Sequence, residues 1–192
     1  MSAQTILSDI KQRKFKPLYL LHGEEAYYID LISNSIENSV LNDAQKGFDQ
    51  TIMYGKEVDF VSIVSAAKRY PMMSDYQVII VKEAQGLKWK GDDDFIAKYV
   101  ENPTPTTILV FAFKHGKFDK RTKLYKAIEK KGIAFESDKL YDNKVAPWIV
   151  DELQRTGHRI HPQAAALMAD YLGTDLSKVA NEAQKLVLNV PK

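Results

Sequence analysis

Two apolar runs, Val78-Ile79-Ile80-Val81 and Ile108-Leu109-Val110-Phe111, constrain the fold of this chain most. Neither alternates with polar residues, and β-branched side chains are prominent, so each reads as a strand covered on both faces. A sheet covered on both faces needs helices on both sides, so strands and helices should alternate along the chain. They do. A short helix over residues 5–13 precedes Leu18-Tyr19-Leu20-Leu21, a first strand, and Tyr27 to Val40 is an amphipathic helix. Phe48 to Tyr54 alternates as a second strand, which Gly55 breaks, and Asp59 is placed to cap a helix carrying Phe60, Ile63, Val64 and Ala67. After the third strand at Val78, a polar loop spans Gly86 to Asp94, with Asp92-Asp93-Asp94 as loop and helix cap before a short helix, Phe95 to Val100. Thr106 to Phe113 is the fourth strand, Asp119 opens a basic helix to about Lys131, and Gly132 to Phe135 is a fifth short strand. The expectation is an α/β domain of three layers with a mostly parallel sheet.

Beyond Tyr141 no strand signal remains. Ala146 to Arg155, Pro162 to Leu172 and Leu176 to Leu188 read as three helices, with Pro147 in the first turn of its helix. The expected organisation is an α/β domain over 1–141 and a small all-α domain over 142–192, whose last residues, Asn189 to Lys192, do not close a bundle.

The chain has 192 residues, 45% hydrophobic and 27% charged, and a net charge of +2, so any nucleic-acid binding must come from a local patch. It has no cysteine, which excludes disulfides, thiolate chemistry and cysteine-ligated metal clusters. No apolar run approaches the roughly 20 residues a membrane helix needs. The first residues, Met1-Ser2-Ala3-Gln4, lack a secretory pattern, so a cytoplasmic location and no membrane partner are expected.

Tyr70-Pro71-Met72-Met73-Ser74-Asp75-Tyr76 is an odd connection. A turn from helix to strand is normally polar, yet two adjacent large apolar side chains follow the proline. Either they plug the end of the core or they are offered to a partner. The first strand–turn–helix unit holds the place of a phosphate site, but His22-Gly23-Glu24-Glu25-Ala26 has one glycine, no lysine and no hydroxyl. Two glutamates there would repel phosphate and suit a helix N-terminus instead. Glu83 imitates a magnesium-holding acid after a strand, but without a phosphate loop it reads as a solvated strand-end charge. His158 and His161 lack a third ligand, and no nucleophile context is present. The residues call for no catalytic site, no metal and no cofactor. Lys114 to Lys131 is densely basic, either a solvated helix face or a contact to a phosphate backbone.

Three stretches in order resemble the delta subunit of the bacterial DNA polymerase III clamp loader. They are Lys16-Pro17-Leu18-Tyr19-Leu20-Leu21-His22-Gly23-Glu24-Glu25, then Pro71-Met72-Met73-Ser74-Asp75 with its strand, and Gly173-Thr174-Asp175-Leu176 with Asn181-Glu182-Ala183-Gln184-Lys185-Leu186. The resemblance implies an AAA+/P-loop-like domain that has lost its phosphate loop, then a helical lid that is complete or nearly so, with the family's C-terminal collar domain absent from this chain. It implies a non-catalytic subunit that binds and helps open the sliding clamp (the beta subunit) during DNA replication. Its partners would be the clamp-loader ATPase subunits and delta-prime, with primed DNA in the assembly. Clamp contact would fall on Met72, Met73, Pro71 and Ser74, with Pro71 shaping the loop; the family's pair is usually Leu-Phe, and neither methionine is aromatic. Lys117, Lys120, Arg121 and Lys123 are candidates for contacting the DNA backbone. Two other readings stay open: a nucleotide-dependent enzyme with an unusual phosphate loop, and a DNA-binding module built on residues 114–131.

Overall fold

The computed structural model describes residues 1–89 and 93–189. Asp92 of the acidic run and the tail after Asn189 lie outside these residues. The chain divides into two compact units, Met1–Ser137 and Asp138–Lys192.

The first unit is built on a five-stranded sheet. Its strands are β1 (Leu18–Gly23), β2 (Gln50–Tyr54), β3 (Gln77–Lys82), β4 (Thr107–Lys114) and β5 (Ile133–Ser137), ordered β2-β3-β4-β1-β5. Every pairing is parallel, with Val78 opposite Ile108 and Leu20 between Phe111 and Ala134. Parallel neighbours require crossovers, and α2 (Ala26–Ser39), α3 (Asp43–Asp49), α4 (Phe60–Ala67), α5 (Asp93–Glu101) and α6 (Lys123–Lys131) supply them, while α1 (Ala3–Lys11) precedes β1.

The unbroken apolar runs are explained by their two faces. Tyr19, Leu21, Val78, Ile80, Ile108 and Val110 pack against Ile6 and Ile10 of α1 and Ile29, Ile32 and Ile36 of α2. The alternate residues, Leu18, Leu20, Ile79, Val81, Leu109 and Phe111, pack against α4, α5 and α6. Each buried side chain of this size contributes roughly 1.5–3 kcal/mol, so strands and helices stabilise each other across both faces of the sheet.

Four expectations need correction. Residues 43–49 form α3, a helix absent from the sequence reading; Phe48 belongs to it, and β2 begins only at Gln50. Asn42 starts α3 with a capping box, its side chain accepting from the Gln45 N–H while the Gln45 side chain accepts from the Asn42 N–H, 3.0 Å each. The stretch read as a polar loop after Gly86 carries core: Leu87 is buried, and the Trp89 ring packs edge-on against Phe60, Phe111 and Phe118 while its Nε1 donates to the Ala84 carbonyl (2.7 Å). The basic helix starts at Lys123, not Asp119, because the Thr122 hydroxyl caps it by accepting from the Tyr125 N–H.

The second unit holds α7 (Asp142–Arg155), α8 (Pro162–Leu172) and α9 (Leu176–Asn189). The fourth correction falls here: α7 begins four residues before Ala146, so Pro147 sits inside it rather than in its first turn. A proline there forgoes one intrahelical bond, and burial of Val145, Trp148, Ile149 and Leu153 along one face offsets the loss. No described helix is long and apolar enough to cross a membrane.

Candidate functional site

The connection from α4 to β3 presents its methionines to solvent. Met72 is 78% exposed and Met73 54%, and Tyr70 beside them is also exposed, so the pair does not plug the core. Beneath the loop lies a carboxylate. Asp49, the last residue of α3, is only 2% exposed. Its Oδ1 accepts the Met72 N–H (2.5 Å), and its Oδ2 accepts the Met73 N–H (2.8 Å). The Ser74 hydroxyl lies 2.7 Å from Asp49 Oδ2 and 2.7 Å from the Tyr76 carbonyl oxygen, serving one at a time. Gln45, one turn earlier on α3, donates through Nε2 to the Met73 carbonyl (3.3 Å), and Tyr76 packs edge-on against Phe15. Burial alone would raise the Asp49 pKa; the donors from Met72, Ser74 and Met73 outweigh it and hold the carboxyl below its ordinary value.

Pro71, Met72, Met73 and Ser74 therefore form one structured loop, with the methionine side chains outward and the half-buried Ser74 tied inward. Sequence reasoning missed Asp49, which lay inside the expected strand from Phe48. Its partners are 23 to 25 residues away, so no local pattern marks it. The Asn42–Gln45 capping box was the available signal for the helix that carries it.

The turn between β1 and α2 is filled. Glu25 caps α2, its side chain accepting the Tyr27 N–H (2.9 Å), and its own N–H donates to the Ser137 carbonyl (3.1 Å). A carboxylate thus occupies the helix N-terminus where a phosphate would bind. Gly23 runs so close to the end of β5 that a Cβ there would meet the Ser137 backbone, and the buried His22 accepts the Phe118 N–H at Nδ1 (3.1 Å). Glu83 is not simply solvated: it lies 3.6 Å from Lys114 Nζ, which sits 2.7 Å from Asp30. Among the described residues no group of three His, Asp or Glu side chains is placed to hold a metal, and His161 instead caps α8 by accepting the Gln163 N–H.

Three of the four basic candidates stand in ion pairs. Lys117 (3.2 Å) and Lys120 both pair with Glu136 on β5. Arg121 donates twice to Asp119 (3.0 Å each), and these bonds hold the Asp119 carboxyl down to about 2. Lys123 is exposed on α6 with Lys126 and Lys130, opposite the buried Leu124 and Ile128.

The sequence model of the DNA polymerase III delta subunit family matches residues 19–138, well over half of the chain. The chain belongs to that family. The match takes in β1, the filled turn, α3 and the methionine loop, all of which lie within the first unit. DNA polymerase III subunit delta of Bacillus subtilis is 24% identical over 188 residues, 94% of this chain and 54% of that protein. This delta-family chain thus spans about half the length of the curated relative it matches. The solved Bacillus subtilis DNA clamp loader delta protein superposes with a TM-score of 0.82 at 24% identity, over 96% of this chain and 57% of that one. A Thermotoga maritima RuvB variant superposes at 0.51 with 14% identity, covering 94% of this chain and 58% of its own. Both likenesses are of fold.

Proposed function

We propose that this chain is the clamp-gripping part of a clamp-loader delta subunit: it binds the sliding clamp through Met72 and Met73 and hydrolyses no ATP. The observation that carries the reading is the loop itself. Two large apolar side chains stand in solvent on a backbone held by a buried carboxylate. Exposed apolar side chains on a fixed loop are a costly arrangement for a free protein and a ready-made anchor for an apolar pocket. Methionine fits irregular pockets, which suits it to stand where the family usually places Leu-Phe. The first unit acts as the AAA+-like clamp-binding domain and the second as the lid. The ATPase subunits, delta-prime and primed DNA are partners of the full assembly.

The filled turn supports a non-catalytic role. Phosphate binding needs free N–H groups at a helix N-terminus, and at α2 the Glu25 carboxylate takes one of them and repels phosphate by charge. For the same reason the nucleotide-enzyme reading finds no support in this turn. The DNA-backbone reading loses most of its candidates to ion pairs with Glu136 and Asp119, which leaves Lys123 among the residues named for it.

Calorimetric titration of the chain into the cognate sliding clamp tests the proposal. Met72→Ala/Met73→Ala is expected to weaken binding by ~2 kcal/mol or more, as for truncation of a hot spot. Binding equal to the parent's would refute it.

A further inference from the structure

Asp49 is poorly placed for its own helix. A negative charge at a helix C-terminus opposes the dipole, and a buried carboxylate loses its hydration. Its position is explained by what it accepts: two consecutive backbone N–H groups and a hydroxyl, all from the loop that carries the methionines. The N–H groups of Met72 and Met73 bond to the carboxylate and not to a sheet or helix, so its removal leaves two consecutive backbone donors without their partner. Gln45 adds a bond from the same helix to the Met73 carbonyl.

We propose that Asp49 is a positioning residue for clamp contact, fixing residues 71–74 with both methionines projecting before the partner arrives; the proposal rests on the clamp-binding reading above. A loop held in its bound course spares the complex the entropy of ordering it, which raises affinity without adding a contact. Asp49 does not need to touch the clamp. Its effect must therefore pass through Met72 and Met73, and this dependence separates positioning from a general loss of fold.

The test is a double-mutant cycle against the sliding clamp. Asp49→Asn keeps the volume but turns a donor toward one of the loop N–H groups. It is expected to weaken binding about tenfold in the parent background and less than about twofold when Met72 and Met73 are already alanine. Backbone hydrogen exchange over residues 70–76 is expected to speed up in Asp49→Asn, while β3 stays protected. Equal losses in both backgrounds, or unchanged exchange over 70–76, overturn the proposal. Parent-like affinity of Asp49→Asn beside a weakened methionine double variant overturns it alone. Parent-like affinity of the methionine double variant overturns the clamp reading and this inference together. If Asp49→Asn does not fold, Ser74→Ala removes one donor and keeps the acid. It is expected to weaken binding roughly threefold with the same dependence on the methionines, and parent-like affinity would overturn the proposal.

Discussion

Replacing Gly23 by alanine tests the filled turn at the heart of the first unit. Gly23 ends β1 with φ +143°, in a region that L side chains rarely adopt. An added Cβ would lie well inside contact of the Ser137 carbonyl oxygen, and 2.7 Å from both its carbonyl carbon and its nitrogen. These are backbone atoms of β5, so relief requires a strand to move. The movement threatens two bonds, Glu25 N–H to Ser137 O and Gly116 N–H to Gly23 O, each 3.1 Å. Backbone strain of about 1–3 kcal/mol and about 1–3 kcal/mol for a buried bond lost together give a cost of about 2–6 kcal/mol. That is a large part of a total stability of roughly 5–15 kcal/mol. At about 4 °C per kcal/mol, the melting temperature should fall by about 8–24 °C. Thermal unfolding followed by circular dichroism reads this directly. A fall of under about 3 °C would show that β5 does not close over the turn. Gly47 is the control: nothing lies within 4 Å of an added Cβ on α3, so Gly47→Ala should stabilise by ~0.5–1 kcal/mol.

Three further outcomes are expected. Met72→Ala/Met73→Ala should move the melting temperature by no more than about 2 °C, because exposed side chains contribute little to folding; a larger drop would mean that the methionines pack against the fold. Glu136 is held below its ordinary value of 4.5, first by the bond from Lys120 and then by Lys117. A depressed native pKa adds stability that is whole above the unfolded value and is lost as pH falls through the native one. The stability difference between parent and Glu136→Gln should therefore shrink as pH drops below 4.5, and a difference constant from pH 7 to about 3 would contradict the pairing. Millimolar magnesium-ATP should leave the melting temperature unmoved, since Glu25 caps α2; a rise of several degrees would reveal a nucleotide site.

The layered sheet was legible because its signal is local. Val78–Val81 and Ile108–Phe111 are apolar without interruption, and burial from both faces is the physical meaning of that pattern. What was not legible depends on partners distant in sequence or on short polar elements. α3 is a seven-residue helix with a single buried residue, so it shows no apolar stripe, and the alternation of β2 was read one element too far. Asp119 looks like a helix cap in sequence, but Arg121 captures its carboxylate and Thr122 takes the cap. Trp89 sits among charged residues, and only the fold brings it to Phe60 and Phe118. The methionine loop stood out as an apolar turn; the carboxylate that orients it could not, since two ordinary segments meet there only once the sheet has formed.

Methionine-methyl NMR tests the central claim most directly. With ¹³C-methyl label on all five methionines, the sliding clamp is added stepwise and each signal is followed. Binding through the loop is expected to shift or broaden Met72 and Met73 first and most, while Met53, packed against the α4 side of the core, stays in place. A complex that forms while both loop signals remain where they began would contradict it.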